Sequence, residues 1–125
     1  MPALNTVAIA LLGATTLDLS TDGDTTIYTV PSGKSCVPVY APLAVGSDAG
    51  ASKISIGQAG NTDDWLPQTT LATTSVDGDV FLLQPIPDLT SPVKKAYPAG
   101  TVIKATVSDH AGGADNTLYF FGFLF

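Results

Sequence analysis

The stretch that most constrains the fold of this chain is Asn116-Thr117-Leu118-Tyr119-Phe120-Phe121-Gly122-Phe123-Leu124-Phe125, an apolar run with no polar face. In an extended strand successive side chains alternate sides, which puts Leu118, Phe120 and Leu124 on one face and Tyr119, Phe121, Phe123 and Phe125 on the other. A strand of a half-solvated antiparallel sheet alternates apolar with polar residues, so this one requires cover on both sides. Burial of each such side chain is worth about 1.5–3 kcal/mol, and a row of four left in water would make a monomer adhesive. The row Tyr119, Phe121, Phe123 and Phe125 is therefore expected at an interface between copies of the chain, as in a trimer closed by cyclic symmetry. The alternative is a strand roofed by a loop of its own subunit.

The rest of the composition points the same way. The chain contains no Glu and no Arg, the residues that usually build helix surfaces, while Thr, Val, Gly and Pro are abundant. An all-β fold is expected. With 125 residues the chain has the length of one domain, 1–125, with 1–14 available as an N-terminal strand or arm. The net charge of −6 and the single adjacent pair Lys94-Lys95 argue against a nucleic-acid partner, which would require clustered cations. Cys36 is the only cysteine, so an intrachain disulfide and cysteine-rich zinc sites are excluded, and it reads as a small buried strand residue. No Lys or Arg precedes Val7-Ala8-Ile9-Ala10-Leu11-Leu12, which reads as a strand and not as a secretion leader. No apolar run has the length of a membrane span, and a soluble protein assembled in a reducing cytoplasm is expected.

Turn chemistry divides the chain into strands. Thr6–Leu12 is expected as a first strand, interrupted by Gly13-Ala14 before Thr15–Leu19, where Leu17 and Leu19 share a side. Thr21-Asp22-Gly23-Asp24 is a turn, Thr25–Val30 a β-branched strand, and Pro31-Ser32-Gly33 a type I turn with a bulge. The next strand, Lys34–Val45, contains Pro38 and Pro42, so it lies at an edge or its missing donors point away from any neighbour. Ile54 and Ile56 face inward in Ser52–Gly57, and Gln58–Gln68 is the most irregular segment. Leu71–Ser75 can form a short strand, and Val80-Phe81-Leu82-Leu83 a compact buried one. Gln84–Pro92 is an extended proline-rich arm suited to lying across a neighbour. Tyr97–Thr101 repeats the Pro-x-Gly turn, and Val102–Ser108 alternates with Ile103, Ala105 and Val107 on one side. Seven to nine short strands with turns every ten residues or so describe an antiparallel β-sandwich of jelly-roll type.

Candidate chemistry is sparse. Ser108-Asp109-His110 has the composition of a catalytic triad, but three consecutive residues cannot line up nucleophile, base and orienting carboxylate. No enzymatic activity and no cofactor are expected. Asp22, Asp24, Asp63, Asp64, Asp77 and Asp79 are hard oxygen donors of the kind calcium takes, yet their spacing is that of turns and not of a dense ligand loop. No metal is expected. Asn61-Thr62-Asp63-Asp64-Trp65 places an aromatic beside polar side chains, as glycan sites do, although a lone Trp on such a segment more commonly anchors it to the core.

Thr25-Thr26-Ile27-Tyr28-Thr29-Val30-Pro31-Ser32-Gly33-Lys34, preceded by Leu17-Asp18-Leu19, resembles a T-x-Y-T-V-P-x-G-K hairpin of small virion proteins of tailed bacteriophages. Ser55-Ile56-Gly57, Asn61, Asp64-Trp65-Leu66, Ala96–Ile103 and the closing aromatic strand extend the resemblance over most of the chain. It implies a jelly-roll accessory protein of the particle, a capsid decoration or cement protein on the outer capsid surface, assembled in the host bacterial cytoplasm. Its implied partners are other copies of itself, as a homotrimer, and the phage major capsid protein. The expected capsid contacts are Leu4 and Asn5 in the N-terminal arm and Pro85, Pro87 and Pro92 in the proline-rich arm. The alternative is a tail- or fibre-associated adhesin that binds host-surface glycan. The last strand is also similar in architecture to the closing strand of tumour-necrosis-factor-like jelly rolls, whose aromatic row packs near a trimer axis.

Overall fold

β-branched and aromatic segments separated by Asp-Gly and Pro-x-Gly turns fold into eight strands in the computed structural model, which describes residues 8–72, 78–85 and 96–125. They are β1 (Ala10–Leu17), β2 (Gly23–Thr29), β3 (Cys36–Val45), β4 (Lys53–Gln58), β5 (Asn61–Thr70), β6 (Val80–Leu83), β7 (Val102–Ser108) and β8 (Asn116–Leu124). No helix occurs among the described residues. Two antiparallel sheets of four strands result, a first in the order β1-β8-β3-β6 and a second in the order β2-β7-β4-β5. Consecutive strands change sheet at every step except β4 to β5, which is the strand order of a jelly-roll sandwich.

The core lies between the sheets and follows the period of two. Ile54 and Ile56 on β4, Ile103, Ala105 and Val107 on β7, and Leu118 and Phe120 on β8 are all buried, as the alternation predicts. Phe120 is its centre, with the indole of Trp65 edge-on at 6.3 Å and the ring of Tyr28 at 6.0 Å. Both Pro-x-Gly turns form and lie together, but they are type II turns with glycine at the third position, not the type I turn with a bulge expected at Pro31-Ser32-Gly33, and β2 and β3 on either side of that turn belong to different sheets, so no hairpin results. Gly33 and Gly100 take φ of 77° and 86°, a region that favours glycine, and the Lys34 and Thr101 amides donate to the Pro31 and Pro98 carbonyls. The Val30 amide donates to Thr101 at 3.0 Å and the Gly100 amide to Val30 at 2.9 Å, which splices the two turns.

Other local expectations change or are narrowed. Gly13 does not end a strand: β1 runs through it with a bulge between Leu11 and Gly13, and the glycine is needed because a Cβ there would lie 2.8 Å from the Ile27 carbonyl oxygen. Of the two placements its prolines allow, β3 does not take the edge: it is flanked by β8 and β6, with Pro38 at a bulge where the ladder is interrupted. The irregular segment 58–68 mostly forms β5, paired to β4 through two register shifts that blur its alternation. Leu71 and Ala72 lie outside any strand, and 73–75 fall outside the described residues, as do Thr6 and Val7 of the expected first strand.

Candidate functional surface

The two sheets differ in charge. The strands of the first sheet contain no Asp or Lys, whereas those of the second carry Asp24, Lys53, Asp63, Asp64 and Lys104. The outer face of the first sheet is built from cross-strand rows. Leu11, Phe121 and Tyr40 form one. In the next, Ala14 lies opposite Tyr119, the β3–β8 register sets Pro42 opposite Tyr119, and Leu82 pairs with Pro42. Thr16, Thr117, Ala44 and Val80 make the third, and Phe123 with Val37 flanks the set. Tyr40 and Phe121 stack, with centroids 5.0 Å apart and planes at 20°, and Phe123 leans on Phe125 at 6.3 Å. Among the described residues, every strongly exposed large apolar side chain belongs to this sheet or its margins: Ile9, Leu11, Val80, Leu82 and Phe125.

The sequence-expected row is thus part of a wider surface. Tyr119, Phe121 and Phe123 are half-buried by their in-plane neighbours, Phe125 is exposed, and Leu124 packs against the core. Val80-Phe81-Leu82-Leu83 is not the compact buried strand expected: Phe81 and Leu83 face the core, but Val80 and Leu82 are 61% and 57% exposed. Of the expected capsid contacts, Pro85 is half-buried at the rim of a cleft of about 410 Å³ that Trp65, Pro67, Gln68 and Leu82 also line. Leu4, Asn5, Pro87 and Pro92 lie outside the described residues.

The acidic loops are occupied locally. Asp22 accepts from the His110 amide at 3.1 Å and meets its ring Nδ1 at 2.7 Å, bonds that hold its carboxyl below the usual range. Asp18 accepts from the Ser20 amide and hydroxyl and is lowered for the same reason, and Asp24 accepts from Thr106 at 2.9 Å. Asp64 takes the Tyr97 hydroxyl at 2.6 Å and the Gln58 side-chain amide at 2.8 Å. Ser108, Asp109 and His110 diverge, the first to Gln68, the second to Lys53 at 2.8 Å and the third to Asp22. Among the described residues no three His, Cys or Asp side chains gather as a metal would require, and Asp77 lies outside them.

Two buried groups bear on reactivity and recognition. Burial pushes the Cys36 thiol up to about 11, which leaves it protonated at neutral pH and a poor nucleophile. Trp65 is only 2% exposed, so it anchors β5 to the core, and the aromatic platform that glycan recognition would use is absent at that position. No local pattern marks Leu11, Tyr40 and Leu82 as neighbours of Phe121 and Tyr119, because three separate strands bring them there.

No protein-family model, curated protein sequence or solved structure matches the chain.

Proposed function

We propose that the chain is a structural accessory protein of a tailed-bacteriophage particle, a decoration or cement protein that sits on the outer capsid surface as an oligomer and stabilises the shell. The observation that carries this reading is the division of the sandwich into one sheet whose strands bear no charge and a second that bears Asp and Lys. Such a module supplies contact area on one side and a hydrated face on the other, which is what a protein acting by contact needs. The resemblance of Thr25–Lys34 to phage virion proteins adds support, although β2 and β3 on either side of its Pro31–Gly33 turn lie in different sheets, so the segment is a crossover and not a hairpin. A net charge of −6 favours a place away from packaged DNA, where cations would be required. The capsid contacts assigned to Leu4, Asn5, Pro85, Pro87 and Pro92 need not be strong singly, because an oligomer that engages several capsid subunits gains avidity. Protein bound only to the assembled shell stabilises it by mass action.

The test is to delete the protein and heat the particles. Decorated heads are expected to retain DNA to a higher temperature than bare heads, and added protein should restore the difference. Equal release temperatures, or antibody labelling confined to tails, would overturn the capsid role in favour of a tail or adhesin role.

A further inference from the structure

We propose that the outer face of the first sheet is covered by a second copy of this chain, in a contact centred on the stacked pair Tyr40 and Phe121 and flanked by Leu11, Tyr119 and Leu82. This contact involves all four strands and does not depend on the capsid reading.

Size is the first argument. Four strands spaced about 4.8 Å apart and some eight residues long at about 3.3 Å per residue present a face of roughly 500 Å². Two copies in contact would then bury roughly 1,000 Å², the area at which specific interfaces begin. Its chemistry matches an interface centre, with a stacked aromatic pair, aliphatic neighbours, and Thr16 and Thr117 in the row beyond them.

Charge decides what the occupant is. The chain carries −6, so a basic partner would be drawn to the Asp-bearing loops and not to a face that offers it no counter-charge. A second copy presents the same uncharged chemistry and needs none. Its own charges sit on the second sheet, about 10 Å behind this face and beyond the Debye length of about 8 Å at physiological salt, and on the loops, where Asp18, Asp79 and Asp115 adjoin the ends of β1, β6 and β8 and are exposed. Repulsion between the second sheets is therefore largely screened, and these loop carboxylates stay at the strand ends and not within the face. A closed rotation axis lets one self-complementary patch disappear in every subunit, whereas the same patch without closure would recruit copies indefinitely.

Leu11 and Leu82 are more than half exposed, so a carboxylate at either position disturbs the contact without entering the core. Sedimentation velocity of the wild type across a concentration series is expected to resolve a discrete dimer in equilibrium with monomer. Leu11→Asp and Leu82→Asp should each weaken association about 30-fold or more, the range of an interface hot spot. Thr26→Asp on the other sheet should leave it unchanged. Circular dichroism and Trp65 emission identify folded variants. A wild type that stays monomeric at 100 µM (about a hundredfold above a micromolar dissociation constant), or that forms only open-ended aggregate, refutes the proposal. So does retention of the oligomer by both folded Asp variants.

Discussion

Replacing Tyr97 by Phe removes one oxygen atom from a site that is 1% exposed, and its cost can be worked from the contacts. The hydroxyl donates to Asp64 Oδ1 at 2.6 Å, and Asp64 also receives the Gln58 amide and side chain, so this carboxylate ties the segment around Tyr97 to the β4–β5 hairpin. A hydrogen bond to a charged acceptor is worth about 1.5–3 kcal/mol, and at this chain length each kcal/mol moves Tm by about 4 °C. Tyr97→Phe is therefore expected to lower Tm by about 8 °C at pH 7, at fixed protein concentration. The pH dependence is a sharper signature. Burial, and then the bond to Asp64, raise the Tyr97 ionisation above its ordinary value. The unfolded chain releases that proton near pH 10 while the folded chain keeps it, so the stabilisation is complete below pH 10 and is lost as pH rises further. Wild-type stability should fall relative to the variant by about 1.4 kcal/mol per pH unit, closing a gap of about 2 kcal/mol near pH 11.5. Cys36 titrates in both proteins and cancels. Urea unfolding of the pair from pH 7 to pH 11.5 reads the gap directly. A variant as stable as the wild type at pH 7, or a gap that does not change with pH, refutes the reasoning.

Other outcomes follow from single sites. A thiol reagent at pH 8 should leave Cys36 untouched in the native protein and modify it fully in guanidinium, and rapid native modification would contradict its burial. Gly50→Ala should cost about 3 kcal/mol or more, read from the urea midpoint at unchanged slope. Gly50 has φ of 57°, and a Cβ there would lie 2.2 Å from the Ala111 carbonyl oxygen, a backbone atom that no rotamer change can move.

Local alternation was legible wherever a strand keeps one register. Ile54 and Ile56, Ile103, Ala105 and Val107, and Leu118 and Phe120 could be assigned to the core from spacing alone. It failed where pairing changes register: Gly13 looks like a break and is a bulge, and β5 loses its period at two shifts against β4. The apolar surface was legible in part. Tyr119, Phe121, Phe123 and Phe125 are neighbours along one strand, so their row is visible in the sequence. Leu11, Tyr40 and Leu82 join them only through ladders between distant segments, which no local pattern encodes. For the same reason Val80 and Leu82 read as buried, since nothing in a four-residue apolar run tells which side has a partner.

The placement of β1 also governs how the chain can reach this state. Among the described residues its sole ladder partner is β8, from Ala10 opposite Gly122 to Leu17 opposite Asn116, so a loop of roughly a hundred residues must close before that ladder forms. Among the described strands only β4 and β5 pair as consecutive ones. That hairpin is the one ladder among them that can form on local contacts, and the others must wait for closure of a longer loop. Such a topology belongs at the slow end of single-domain folding, in the millisecond-to-second range. On the ribosome, β1 leaves the exit tunnel long before β8 is made, and its uncharged edge needs protection from neighbouring chains for that interval.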